Sequence, residues 1–259
     1  MDIPSEIRQW RQMHRTELLA RRNAVPALQR RIWTKAITRL LVEQFPVLQG
    51  MLLGTYCPFN GEFDPRAAMR LLRRCGTRNA LPTVVQKKQP LQFREWWPGA
   101  PMSKDECDIP VPDGTEVVRP EAMLIPAVGF DSRGFRLGYG GGYFDRTLAA
   151  SVPQPLKIGV AFELSRMATI RPQRHDVPMD FIVTEAGVHY VFDAGLELVS
   201  APSRTFQLAC EIVWRRDCGE RRDRATRYDC NDGPERMIAG HFSSPPCYAH
   251  EIDPFYKDD

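Results

Sequence analysis

Between Ala27 and Phe192 the chain alternates between segments with the 3.6-residue period of a one-sided helix and short apolar runs of strand length. The run ALQRRIWTKAITRLLVEQF sets Ile32, Ala36, Ile37, Leu40 and Leu41 on one side, as an amphipathic helix does. MLLGTYC then reads as a buried strand, closed by the turn-forming PFNG. Asp64 and Pro65 stand as N-cap and first helical residue ahead of RAAMRLLRRC, and Gly76 follows where a helix end favours a left-handed residue. NALPTVV, LQFREW, EAMLIPAVGF, PLKIGVAF, DFIVTE and HYVF read as further strands. Such alternation predicts an α/β fold of three layers, a mostly parallel sheet flanked by helices, because parallel neighbours need crossovers and crossovers are usually helical. Ligands of such folds gather at the carboxyl ends of the strands.

At 259 residues, 43% of them hydrophobic, the chain can bury a sizeable core. We expect one α/β domain over 1–199 and a C-terminal extension over 200–259, where apolar periodicity fades and Arg, Asp, Cys and Pro accumulate, the composition of a disordered tail or a docking arm. A formal charge of +3 is too small to announce a nucleic-acid binder, and the acids interleaved in WRRDCGERRDRATR weaken its field. No run approaches the roughly 20 apolar residues of a membrane span, and MDIPSEIRQWRQMHR lacks the apolar core of a signal peptide, so the expected compartment is the cytoplasm. Cys57, Cys75, Cys107, Cys210, Cys218, Cys230 and Cys247 never form a CxxC and read as reduced thiols. The last four, with His241 and His250, have spacings too long and irregular to favour zinc.

The stretch RLGYGGGYFDRTL, Arg136 to Leu148, follows the strand AMLIPAV by a loop and precedes a helix expected to start near Tyr143. Glycines ahead of a helix N-terminus expose backbone N–H groups with the positive end of the helix dipole behind them, which suits phosphate. It is not a Walker A loop, because Tyr143 and Phe144 follow Gly142 where Lys and Ser/Thr would stand. It is not the dinucleotide GxGxxG either, because Tyr143 replaces the last glycine. Arg136 can fork onto phosphate oxygens and Asp145 can hold Mg²⁺. A plain surface turn is the competing reading of the glycines.

The run GFDSRGFRLGYGGGYFDR resembles the signature of the 5-formyltetrahydrofolate cyclo-ligase family (5,10-methenyltetrahydrofolate synthetases), in its bacterial form. YCPFNGEFDP and RPQRHDVPMDFIVTE are similar to two further family segments in the same order, and the resemblance spans roughly Arg11 to Phe192. It implies ATP-dependent ring closure of 5-formyltetrahydrofolate to 5,10-methenyltetrahydrofolate, with ADP and phosphate released, ATP and Mg²⁺ as cofactors, and a monomer or weak oligomer. A formamide oxygen is a poor leaving group; its phosphorylation, as the family chemistry implies, lets N10 close the ring. Phosphoryl transfer itself needs mainly position and charge.

By resemblance, Arg136 is catalytic and opens the ATP loop, and Leu137, Gly138, Tyr139, Gly140, Gly141, Gly142, Tyr143 and Phe144 continue it, with Tyr143 also reaching folate. Asp145 matches a magnesium ligand, or else a helix N-cap. Asp180 matches a second magnesium position, or else ends a turn before FIVTE. Glu62 matches the carboxylate that binds the pterin, an ionised acceptor facing ring N–H groups, or else a solvated turn residue. Arg11 and Arg15 match a basic pair facing ATP, and their i,i+4 spacing puts both on one helix face. The chain departs from the pattern at Gly141, where some relatives carry lysine, at Phe144, where many carry tyrosine, and at Cys107, where a larger side chain is frequent. His175 is left outside the catalytic set. Two rival readings are a catalytically idle relative that binds nucleotide, folate or RNA, and a sugar-phosphate or coenzyme A binder of the broader fold group.

Overall fold

A computed structural model describes residues 4–105 and 109–220, the side chains of 217–220 excepted. The chain opens with helices α1 (Ser5–Asn23) and α2 (Ala27–Gln44), followed by β1 (Leu52–Gly54), α3 (Arg66–Arg74), β2 (Arg78–Thr83) and β3 (Gln92–Trp96). Short strands β4 (Met102–Lys104), β5 (Pro110–Pro112) and β6 (Val117–Val118) lead to β7 (Ala122–Pro126), β8 (Gly129–Asp131) and β9 (Arg136–Leu137). Helix α4 (Tyr143–Ala150), β10 (Leu156–Val160), β11 (Arg166–Met167), β12 (Phe181–Thr184), β13 (Gly187–Phe192), β14 (Gly195–Val199) and α5 (Pro202–Glu220) complete it.

Nine strands form one sheet in the order β14, β13, β12, β10, β7, β1, β2, β3, β6. Its centre, β12 to β2, is parallel throughout, and both edges are antiparallel. The helical alternation read from sequence is therefore too regular. β1 reaches β2 through α3, and β7 reaches β10 through a hairpin and α4, but β2 reaches β7 through strands alone. The two-residue period of the strands sorts the core into two layers. Leu124, Ile158, Phe181 and Val183 pack with α2, α3 and α5 on one face. Met123, Ile125 and Ile182 pack with Phe130 of β8 and Leu148 of α4 on the other. No helix among the described residues is long and apolar enough to cross a membrane.

Three local expectations shift. In α2 the buried side is Ile37, Leu41 and Val42, while Ile32 is exposed, because Trp33 turns inward to meet the Phe162 ring at 5.2 Å. Pro65 rather than Asp64 is the N-cap residue of α3, with Asp64 Oδ1 accepting the Arg66 N–H at 3.0 Å; Gly76 just beyond the helix has φ +90°. The third concerns the extension. Residues 202–220 form α5, whose Phe206, Leu208, Ala209, Cys210 and Val213 are buried in the larger core layer. The apolar positions 206, 209, 210 and 213 recur at helical spacing, a stripe that the surrounding Arg and Asp obscure in the bare sequence. Residues 221–259, including Cys230, Cys247, His241 and His250, lie outside the described part, as does Cys107. Phe206 is 2% exposed. Phe206→Ala is accordingly expected to cost about 3–5 kcal/mol of stability, read as a fall in the urea midpoint at unchanged slope; a midpoint equal to that of the unaltered chain would show that α5 adds nothing to the core.

Candidate active site

Helix α1 crosses the carboxyl-terminal side of the sheet and addresses it with one stripe, Arg11, Arg15, Leu18 and Arg22, spaced four, three and four residues apart. Leu18 anchors the stripe among Val128, Leu137 and Ile170. Arg11 is buried and spends its donors on the Asp176 carboxylate, the Ile170 carbonyl at 3.2 Å and the Arg171 carbonyl at 2.9 Å, so it pins α1 to the segment before β12. Arg15 Nε donates to the Gly138 carbonyl at 2.7 Å, and its guanidinium lies against Gly140. Burial, and then the neighbouring Arg11 charge, lower the Arg15 pKa, the response of a cation that an anion would relieve. The two arginines of the expected pair thus share a face, but only Arg15 lies on the glycine loop.

Arg22, which the sequence reading missed, is the deepest of the stripe. Nε donates to the Asn60 carbonyl at 3.0 Å, Nη1 to the Ala127 carbonyl at 3.4 Å and Nη2 to the Tyr139 hydroxyl at 2.5 Å. Asn60 lies in the loop after β1, Ala127 follows β7, and Tyr139 belongs to the glycine loop. One guanidinium therefore ties three walls of the site together. Extending the Arg11–Arg15 spacing along the helix to positions 18 and 22 was the available signal.

The glycine loop, 138–142, runs from β9 into α4. Gly142 is the N-cap residue with φ 64°, a left-handed turn that aims the first N–H groups of α4 toward the loop. Arg136 enters it from β9, 6% exposed, with Nη2 3.1 Å from Asp145 Oδ2 and its guanidinium carbon 5.5 Å from the centre of the Phe144 ring. That contact is a charge pair without hydrogen-bond alignment. Nε and Nη2 of Arg136 are buried and make no hydrogen bond. Asp145 Oδ1 accepts the Val177 N–H at 3.3 Å. Leu137 is core: its side chain is buried beside Leu18, and its carbonyl accepts the Val128 N–H at 2.8 Å. Tyr143 lies over Gly141, and Tyr139, 42% exposed, tilts against Phe59 with ring centres 5.9 Å apart.

Across from the glycines, Glu62 is buried. Oε2 accepts the Phe59 N–H at 2.9 Å, while Oε1 has no hydrogen-bond partner among the described residues. Burial pushes its carboxyl above the usual range, against the opposing pull of the Phe59 N–H, Arg22 and the nearby Tyr139 hydroxyl, which lies close enough to act on the charge but directs its hydrogen bond to the Phe59 carbonyl at 3.3 Å. A turn carboxylate in solvent would carry no such penalty. A buried acceptor without a donor is costly unless a ligand supplies one.

Asp180 is not brought to this site. It stands at the amino end of β12, where Oδ2 accepts the Lys157 N–H at 2.7 Å and Oδ1 meets Arg216 of α5 at 2.8 Å and Lys157 Nζ at 3.5 Å. The two expected magnesium positions are thus not brought together in this structure: Lys157 and Arg216 already face the Asp180 carboxylate. Burial lowers the Lys157 pKa and Asp180 opposes that shift, so removing the carboxylate leaves a buried ammonium unpaired. Asp180→Asn is expected to cost about 3 kcal/mol in a thermal melt while leaving the Mg²⁺ concentration dependence of activity unmoved; a shifted magnesium optimum would return Asp180 to the metal. His175 is exposed, 3.8 Å from Asp176.

The chain is similar in sequence and fold to known proteins. Over 178 residues the chain is 28% identical to the 5-formyltetrahydrofolate cyclo-ligase of Haemophilus influenzae, covering 66% of this chain and 95% of that protein. With the enzyme of the same name from Escherichia coli it shares 28% over 177 residues, 65% of this chain and 96% of the other. The fold is similar to that of 5,10-methenyltetrahydrofolate synthetase from Aquifex aeolicus, with a TM-score of 0.61, 27% identity and coverage of 73% and 96%. A second solved structure, a 5,10-methenyltetrahydrofolate synthetase from Mycoplasma pneumoniae, matches in fold at a TM-score of 0.56 and 22% identity over 68% of this chain and 98% of that one. The sequence model of the 5-formyltetrahydrofolate cyclo-ligase family matches residues 7–185, which takes in α1, the Glu62 loop, the glycine loop and β12, and the chain belongs to that family.

Proposed function

We propose that the protein closes 5-formyltetrahydrofolate to 5,10-methenyltetrahydrofolate at the expense of ATP, with Mg²⁺, releasing ADP and phosphate. One observation carries the reading. The same loop system holds a buried guanidinium, Arg136, whose Nε makes no hydrogen bond and whose Nη2 only faces Asp145 without bonding it, and a buried carboxylate oxygen, Glu62 Oε1, with no donor in hydrogen-bond geometry among the described residues. A surface turn has no use for either, whereas a phosphate chain satisfies the first and a pterin ring N–H the second.

Arg136, Arg15 and the N–H groups at the start of α4 bind the polyphosphate. Glu62 accepts from the pterin, and Tyr143 faces the same loop from the α4 side. ATP supplies the activation that turns the formyl oxygen into a leaving group before N10 attacks. Magnesium commonly takes one or two carboxylates and fills its shell with water and phosphate oxygens, so a lone Asp145 beside an anion site fits an ion that arrives with the nucleotide. Its charge offsets that on the transferred group.

The test is the growth of the methenyl chromophore with purified protein, 5-formyltetrahydrofolate and MgATP, with controls lacking ATP or Mg²⁺. ATP-dependent product supports the reading. A folded protein that binds ATP and makes no product would be the idle relative instead.

A further inference from the structure

Arg146 stands one residue beyond Asp145 and has no role in the reading above. It occupies the fourth position of α4, and helical side chains lean toward the helix N-terminus, so it folds back over the glycines. Nη2 donates to the Gly141 carbonyl at 2.6 Å, and the guanidinium carbon lies 5.1 Å from the centre of the Tyr143 ring. Nη1 fills the space a side chain at Gly142 would need, 2.9 Å from the Cβ position. Nε is buried and has no hydrogen-bond partner.

A cation in the first turn opposes the helix dipole, and one of its donors is desolvated with nothing to bond. Both costs vanish when an anion sits between the guanidinium and the helix N-terminus. The neighbouring Arg136, 6% exposed on β9, has an Nε that makes no hydrogen bond although its Nη2 faces Asp145, a second desolvated donor aimed at the same loop. We propose that Arg146 is a phosphate-binding residue for the nucleotide: its fork leaves the Gly141 carbonyl and closes onto the polyphosphate from the α4 side, opposite Arg15. The inference rests on the loop being the ATP site.

The experiment compares full-length wild type with Arg146→Ala, Arg146→Gln and Arg146→Lys, measuring MgATP affinity by titration calorimetry and the KM values of both substrates. Loss of a charge-assisted fork is expected to weaken MgATP by about 10- to 100-fold, with lysine recovering part of the affinity and the folate KM within about twofold of wild type, since no contact with the Glu62 side is lost. Adenosine, which lacks phosphate, should bind wild type and variants alike. Equal MgATP affinity in wild type and either neutral variant overturns the proposal, as does a folate KM that moves as far as the ATP value, which would mark Arg146 as a loop brace. Arg146→Lys keeps the charge and serves this comparison should either neutral variant fold poorly. If wild type itself binds no MgATP, the ATP reading of the loop fails and the proposal with it; if wild type binds and the variants match it, the proposal alone fails.

Discussion

Arg136→Ala is expected to lose about 100- to 1,000-fold in kcat/KM for ATP, the scale on which a preorganised charge at a phosphoryl-transfer site acts. The side chain is held from three sides, by the strand it leaves, by the Phe144 ring and by Asp145 at 3.1 Å, and its Nε, which makes no hydrogen bond, stands ready to meet an oxyanion. Lysine would not replace it, because a single ammonium cannot span the same fork. The truncation also leaves Asp145, half-buried, beside no cation, and an unpaired carboxylate lowers stability on its own account. Arg136→Ala combined with Asp145→Asn separates the two effects. The double variant should regain the thermal stability lost by the single one and regain none of the turnover. Turnover within threefold of wild type in a folded Arg136→Ala protein would remove the arginine from the reaction and leave the ion pair as its only role.

The parts of this site legible in the sequence were those whose signal is local. RLGYGGGYFDR announced its glycines, its flanking charges and the start of α4 within a dozen residues, and β1, β7, β10 and β12 were plain as apolar runs. What stayed hidden depends on partners distant along the chain. Arg22 looked like one of several basic residues on α1, and only its bonds to Asn60, Ala127 and Tyr139 distinguish it. Asp180 stands as a second magnesium position by family resemblance alone, and nothing in the local sequence signals Arg216, which meets it from a helix read as tail. Arg11 and Arg15 have the same spacing and residue type, yet Asp176 takes one of them and the glycine loop receives the other. The antiparallel edges were missed for a related reason: strands such as LQFREW reveal their period, while pairing direction is set by how the chain returns.

Glu62→Gln should separate folding from function in opposite directions. Burial raises the Glu62 carboxyl above its ordinary value, so in the window between the two the native state holds a proton the unfolded chain has already lost. Stability of the ligand-free protein therefore falls as pH rises through that window, and above it the full cost of a desolvated carboxylate remains. Glutamine carries no such charge. The variant is expected to gain about 1–2 kcal/mol over wild type at neutral pH, a rise of a few degrees in Tm, and the gain should shrink as the pH is lowered toward the ordinary carboxylate range. Folate binding runs the other way. The ligand's ring N–H groups need an ionised acceptor, so wild-type kcat/KM for 5-formyltetrahydrofolate should climb with pH through the raised Glu62 pKa. The glutamine variant should lose that limb of the profile and weaken the folate by about 10- to 100-fold at neutral pH, with its KM for ATP unchanged. A variant that is less stable than wild type and binds folate equally well would make Glu62 a brace for the loop after β1, held there by the Phe59 N–H, and would move the pterin elsewhere in the cleft.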